Sequence, residues 1–381
     1  MTVTLRSLQT AVPSTVLIQD EVRDVFAAQP GLSRLAQRIV ATSFNVSGIE
    51  TRHTVIEELT LAPHEGEPLF FDQASGELLS PGTKARNEVY ARAATELFVE
   101  AARAAVDACP GIEASDVTHV VTVSCTGFYA PGPDFMIVRE LGLRPDVQRY
   151  HLGFMGCYAS MPALRAARQY ALADENAVVL VVSAELCTLH LRSSDDPDTI
   201  VASSLFADGA AAGIVSQRPL APGERALDLD RFETVITPVG EGDMAWNIGD
   251  HGFEMVLSTY VPNIIDEHIV GALRPLFRED DGAAAALEAG TIGDTVAHWA
   301  IHPGGRSILD KVEAKLALTE AQLVPARDTL RDFGNMSSAT VLFVIRHILD
   351  DDATADGDRV AAMAFGPGLT VETGLMTARI G

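Results

Sequence analysis

A thiol, an imidazole and a side-chain amide can together run acyl transfer, and this 381-residue sequence offers one of each in a suitable context. Cys157 stands in His151-Leu-Gly-Phe-Met-Gly-Cys-Tyr-Ala-Ser-Met-Pro, after which small and apolar residues continue at helical spacing to about Tyr170. That spacing puts the thiol at the start of a helix. Unpaired N–H groups and the positive end of the helix dipole stabilise a thiolate there, and Gly156 lets the backbone turn tightly beside it. His302 lies in Trp299-Ala-Ile-His-Pro-Gly-Gly at a strand end, and Asn335 in Phe333-Gly-Asn-Met-Ser-Ser-Ala-Thr. A thiolate paired with an imidazole can take an acyl group. The imidazole and the amide can then hydrogen-bond a thioester oxygen as it gains negative charge. Taken singly, each residue also has a plain structural reading: a buried thiol, a turn histidine, an N-cap asparagine.

The elements that must position these residues alternate between strand and helix. Strands are expected at 3–12, 116–124, 177–183, within 203–216, at 227–237, 295–301 and 359–379. Helices are expected near 20–42, at 86–109, 134–141, after Cys157, at 254–278, 306–317 and after Asn335. Residues 60–85, with Pro63, Pro68 and Pro81, read as a long surface loop, and Asp280 to Gly293 as a soft acidic connection. This pattern indicates a layered α/β protein. Gly156-Cys157 followed by small residues and a helix is echoed by Gly334-Asn335 followed by Met-Ser-Ser-Ala-Thr and a helix. The echo suggests two duplicated halves, 1–218 carrying the cysteine and 219–381 carrying the histidine and asparagine, with Pro219 to Glu224 as the linker that opens the second.

A formal net charge of −24 argues against a nucleic-acid binder or a partner of anionic membranes. Lysine is confined to Lys84, Lys311 and Lys315, so arginine must supply almost any local anion site. Cys109, Cys125, Cys157 and Cys187 form no CxxC pair or metal-spaced cluster, so no metal is expected. The first residues lack the apolar run of a signal peptide, and no apolar stretch approaches the roughly 18 residues of a membrane span. A reduced, cytoplasmic protein is expected.

Five segments at consistent intervals resemble the type III polyketide synthases, the chalcone-synthase-like branch of the thiolase superfamily. They are Gly156-Cys157-Tyr-Ala, Leu205-Phe-Ala-Asp-Gly-Ala-Ala-Ala, Ile301-His-Pro-Gly-Gly, Gly334-Asn-Met-Ser-Ser-Ala and Phe365-Gly-Pro-Gly-Leu-Thr-Val-Glu-Thr. The resemblance implies a five-layered αβαβα thiolase-like fold and a homodimer with a complete site in each subunit. Cys157 would carry an acyl-CoA starter, and His302 with Asn335 would stabilise the enolate left when malonyl-CoA loses carbon dioxide. No metal or redox cofactor would be needed. Phe206 and Met255 would be gatekeepers between the CoA tunnel and the cavity, with Met255 standing where plant members carry a second phenylalanine. His190, Trp246 and Ser337 would shape the cavity. Ala130 would stand where plant enzymes send a methionine into the neighbouring subunit. Arg52 and Arg306 would be the candidates for the CoA phosphates, a sparse set that leaves a carrier protein as another possible starter donor. The rival reading is a single-condensation β-ketoacyl synthase, ketoacyl synthase III-like, which shares the cysteine, histidine and asparagine. A non-catalytic thiolase-fold scaffold is a third.

Overall fold

The structure is a computed structural model that describes residues 2–60 and 66–381. Nine strands form one continuous sheet. In order across it they are His298–Ile301, Arg359–Gly366, Thr370–Ile380, Arg225–Ile236, Thr4–Ala11, Asp208–Ser216, Val178–Leu186, His119–Ser124 and Gln148–Gly153. The pairing pattern runs twice. Thr4–Ala11 lies antiparallel to Asp208–Ser216, which is antiparallel to Val178–Leu186, which is parallel to His119–Ser124. Arg225–Ile236 relates in the same way to Thr370–Ile380 and Arg359–Gly366, and the last of these runs parallel to His298–Ile301. The two half-sheets join edge to edge, where Thr4 faces Asp228 and Leu5 faces Leu227.

Strand residues buried on both sides explain the layering. In Val178–Leu186, Val179 and Val181 pack into a core with Met161, Leu164 and Ala167 of the helix Ser160–Ala173. Val178, Leu180 and Val182 pack the other way, into a core with Phe98, Ala101 and Ala102 of the helix Thr83–Asp107. A strand buried on both faces must be apolar at successive positions, as this one is. The helices Ser160–Ala173 and Thr340–Asp350 each touch strands of both half-sheets, whereas Thr83–Asp107 packs on the first half-sheet and Val261–Phe277 on the second. Helix, half-sheet, helix pair, half-sheet and helix give the five-layered thiolase fold.

Several elements depart from the sequence reading. The helix expected from 254 begins at Val261. The residues before it form a hairpin of Met244–Gly249 and Gly252–Leu257. The run read as a soft connection contains the helix Asp281–Ala289, capped by the Asp280 carboxylate accepting from the Ala283 N–H and ended by left-handed Gly290. The helices Pro197–Leu205 and Glu320–Phe333 were not expected as elements. The expected loop holds a short pair of strands, Phe71–Asp72 and Glu77–Leu78; its residues 61–65, Pro63 among them, lie outside the described residues. No helix among the described residues is long and apolar enough to cross a membrane.

Candidate active site

Cys157 follows the strand Gln148–Gly153 and lies in a turn closed by the Ala159 N–H donating to the Gly156 carbonyl, 3.0 Å. The helix proper starts at Ser160. Gly156 has a φ of +84°, and a Cβ there would stand 2.3 Å from Cδ of Pro367, so both its conformation and its closeness to the 365–369 segment require glycine. Gly334, its echo, has a φ of +69°, and a Cβ there would stand 2.9 Å from Cγ of Arg52 and 3.1 Å from the Leu205 carbonyl.

Asn335 is bound into the first half of the chain by its backbone. Its N–H donates to the Leu205 carbonyl and its own carbonyl accepts from the Ala207 N–H, each at 2.9 Å, which pins it beside Phe206. Its side-chain Oδ1 accepts from the Ser337 N–H at 2.9 Å, which orients the amide and leaves the Nδ2 end with a single long contact, 3.5 Å to the Gly304 carbonyl. The same bond supports Ser337, whose φ of +46° is unusual for a side-chain-bearing residue. His302 follows the strand His298–Ile301, and its N–H donates to the Met363 carbonyl at 2.8 Å. Both of its ring nitrogens are buried without a hydrogen-bond partner among the described residues.

Cys157, His302, Asn335 and Ser337 line one pocket of about 580 Å³, with Phe206, Met255 and Trp246 among its apolar walls. Burial governs its electrostatics. It pushes the Cys157 thiol up to about 12, against the hydrogen bond to Ser337, and pushes the His302 imidazole down to about 3. The thiolate expected at a helix start is therefore replaced by a neutral thiol beside a neutral imidazole. Desolvation outweighs a dipole that begins three residues further on.

Two more thiols line this pocket, Cys125 and Cys187, and burial raises both well above the ordinary cysteine range. Behind them the fully buried Glu185 accepts from Ser124 Oγ, the Cys125 N–H, Thr126 Oγ1 and Ser338 Oγ. A charged residue near the end of an apolar strand was the available signal for it.

Arg52 is a correction. It is wholly buried, and its Nη1 donates to the carbonyls of Ser203 at 2.9 Å and Phe206 at 2.6 Å. It cannot meet a CoA phosphate; it fixes the backbone that carries Phe206 and opposes the buried Asp208 carboxyl, which burial pushes up to about 6. Arg52→Leu is expected to cost about 3 to 5 kcal/mol in urea unfolding, because it strips buried carbonyls and a carboxylate of their partner. A loss below about 1 kcal/mol would contradict that role.

Arg306 is exposed at the start of the helix Arg306–Leu316 and lines a cleft of about 1090 Å³ with Lys311. Leu257, Gly304 and Ile308 line both this cleft and the reaction pocket, so the two adjoin. Lys311 was not singled out from sequence, although it is one of the chain's few lysines. His190 does not line the reaction pocket. Its Nε2 bonds the Thr126 carbonyl at 2.8 Å, its Nδ1 accepts from the Phe253 N–H at 2.9 Å, and its ring stacks on Phe253 at 4.2 Å. Burial pushes it down to about 3, so it is a neutral bolt that fastens the 244–257 hairpin. Trp246 adds a second fastening by donating to the Cys125 carbonyl at 2.7 Å. Ala130 is exposed and outside the pocket. Among the described residues no group of three or more His, Cys, Asp or Glu side chains is placed to hold a metal ion.

A buried cysteine, histidine and asparagine converge in one pocket from two like halves, an arrangement suited to acyl transfer. Residues 2–219 match the family described as chalcone and stilbene synthases, N-terminal domain, and residues 229–379 match its C-terminal domain. Bisdemethoxycurcumin synthase of Oryza sativa subsp. japonica is 34% identical over 98% of this chain and 91% of its own length. Among solved structures, PKS-I from the brown alga Ectocarpus siliculosus superposes with a TM-score of 0.86 at 26% identity, covering 99% of this chain and 98% of its own. The 1,3,6,8-tetrahydroxynaphthalene synthase of Streptomyces coelicolor A3(2) superposes with a TM-score of 0.83 at 26% identity, covering 99% of this chain and 100% of its own. The chain belongs to the chalcone and stilbene synthase family, the type III polyketide synthases, which are acyltransferases that use acyl-CoA and malonyl-CoA.

Proposed function

We propose that this protein loads an acyl-CoA starter onto Cys157, extends it with two or more malonyl units and releases a cyclised pyrone, resorcinol or related polyketide. The observation that carries the reading is the shared pocket, in which an enclosed histidine without partners and an oriented asparagine amide adjoin the thiol. In loading, Cys157 Sγ forms a thioester with the starter's acyl carbon, His302 takes the thiol proton, and the proton leaves with the CoA thiolate. In extension, malonyl-CoA loses carbon dioxide, and the resulting enolate oxygen accepts hydrogen bonds from one imidazole N–H and the Asn335 amide. The enolate carbon attacks the Cys157 thioester, a carbon–carbon bond forms, and the Cys157 sulfur is released for reloading.

Arg306 and Lys311, at the cleft that adjoins the pocket, are the residues assigned to the donor's phosphates. A carrier-bound starter would have to present its thioester through the same cleft. The exposed edge strand Gln148–Gly153, with Tyr150 on it and Phe154 and Phe128 also open to solvent, supports a homodimer formed along that edge. Ala130 lies on the segment just beyond Phe128 and would face the partner's cavity with little to insert. Four free cysteines suit a reducing compartment such as the cytoplasm. A boundary at 218/219 between the two halves is supported by one family match ending at 219 and the other beginning at 229.

The test is incubation of the purified protein with malonyl-CoA and short, long and aromatic acyl-CoA starters, with products identified by mass spectrometry. Cyclised products holding two or more malonyl-derived units are expected. Only linear, singly extended products would overturn the reading in favour of a ketoacyl synthase.

A further inference from the structure

Behind the reaction pocket lies a second one, and the two share a wall made of Cys187, Phe206, Trp246 and Met255. The second pocket, of about 330 Å³, is bounded by the 187–192 segment, the helix Pro197–Leu205 and the 244–257 hairpin. Cys157 does not line it. Within the shared wall Met255 is only half-buried, and an unbranched thioether with three rotatable bonds is the wall residue most able to swing aside.

The polar groups of this second pocket are nearly all spent. Both His190 nitrogens are bonded to backbone, Thr199 Oγ1 donates to Asp196 Oδ2 at 2.7 Å, and Ser203 Oγ donates to the Thr199 carbonyl at 2.8 Å. Arg192 is the exception. Its side chain makes no hydrogen bond among the described residues, and its charge meets only a long ion pair with the exposed Glu254, Nη1 to Oε1 at 3.7 Å. Close by, Arg86 is fully buried and donates to the carbonyls of Pro81, Leu189 and Leu191, but among the described residues its Nη2 has no partner and no carboxylate pairs with it. Each guanidinium sits near enough to His190 to help hold it neutral, and the charge of Arg192 adds to burial in lowering Arg86 to about 10. Two cations therefore crowd this end of the pocket, Arg86 with no carboxylate partner among the described residues and Arg192 with only a long ion pair to the exposed Glu254, in a chain whose net charge is −24. A planar guanidinium with free N–H groups is matched best by a carboxylate, which can take two parallel hydrogen bonds.

We infer that the second pocket receives the far end of the acyl starter, past Met255, and that Arg192 selects starters whose chain ends in a carboxylate. The starter is then the monothioester of a dicarboxylic acid: one carboxyl joined to Cys157, the other held by Arg192, with apolar methylenes against Phe206, Trp246 and Met255. The inference rests on Cys157 being the loading site, as proposed above.

The test uses chain-matched pairs of CoA thioesters, glutaryl against pentanoyl and adipoyl against hexanoyl, with the full-length protein. Acylation of Cys157 is read by intact-protein mass and kcat/KM by release of CoA. In at least one pair the carboxylate-ended member is expected to be favoured by about tenfold or more, the scale of a charge-assisted hydrogen bond. That ratio should fall towards unity in Arg192→Met and recover in part in Arg192→Lys. In Met255→Trp, which narrows the passage with Arg192 intact, it should also collapse. Thermal melting of each variant separates loss of selectivity from loss of fold. A wild-type preference for the apolar member of both pairs, or a ratio unchanged in a folded Arg192→Met, overturns the inference while leaving Cys157 loading in place. Acylation by neither series overturns the loading reading and the subsite with it.

Discussion

Cys157→Ala is expected to abolish the acyl-enzyme and to reduce polyketide formation by roughly 10⁶-fold, the scale observed when a covalent nucleophile is removed. Intact-protein mass should show no adduct after incubation with an acyl-CoA, while malonyl-CoA decarboxylation persists in part, because His302 and Asn335 still offer donors to the enolate. Unchanged product formation would remove Cys157 from its role. A companion measurement on the wild-type protein tests the protonation state. With the thiol pushed up to about 12 and the imidazole down to about 3, the unliganded pair is neutral at every ordinary pH. Iodoacetamide alkylation of Cys157 should therefore quicken by about tenfold per pH unit through the neutral and mildly alkaline range, as the thiolate fraction grows. A plateau near neutrality would instead signal a preformed thiolate–imidazolium pair. The expected behaviour assigns activation of the thiol to the moment of attack, when the proton moves to His302 in a pocket the substrate has filled.

The candidate site was legible in the sequence where it depended on residue type beside a forced turn. Gly156-Cys157 and Gly334-Asn335 could be recognised as a repeated unit, and the structure gives both glycines a positive φ and no room for a side chain. The strands Val178–Leu186 and Asp208–Ser216 announced themselves as apolar runs because both of their faces are buried. Errors came where one local signal served two outcomes. Glu254-Met-Val-Leu is a short apolar run that fits either a helix or a strand, and only its pairing with Met244–Ala245–Trp246–Asn247 makes it a strand. The alanines of 283–286 are strong helix formers, but the flanking acidic residues and glycines read as a linker; Asp280 is in fact the N-cap. The helix Glu320–Phe333 carries a readable start, Thr319 with Gln322 in a capping box, but Pro325 inside it interrupts the helical signal. Arg52 shows the harder limit. Position in a motif cannot tell a guanidinium that faces solvent from one folded inward onto the Ser203 and Phe206 carbonyls, because that depends on packing across segments about 150 residues apart. The same limit hid Arg192, whose interest lies in what it fails to touch.

Asn335→Asp is the substitution that separates chemistry from architecture, because Asn335 does two jobs with two ends of one amide. Its Oδ1 holds the Ser337 N–H and so supports a backbone turn at φ +46°, while its Nδ2 end is the proposed donor to the enolate. Asn335→Ala loses both, so a fall in rate would not identify the cause. Asn335→Asp keeps an acceptor for Ser337 and replaces only the donor. The variant is expected to fold, while malonyl-CoA decarboxylation measured above the new carboxyl's burial-raised pKa falls by about 10² to 10³, or roughly 2.7 to 4 kcal/mol, the cost of one lost oxyanion donor. A carboxylate there would also repel the developing enolate. Because a carboxyl regains an O–H donor when protonated, the decarboxylation rate of the variant should rise as pH is lowered through the new group's pKa, relative to wild type measured under the same conditions. Wild type lacks that ionisation, since its amide does not titrate. A rate insensitive to the substitution would exclude Asn335 as a donor and leave His302 alone beside the enolate. A lowered rate with no recovery in acid, in a protein that melts normally, would mean that the amide's shape matters more than its proton.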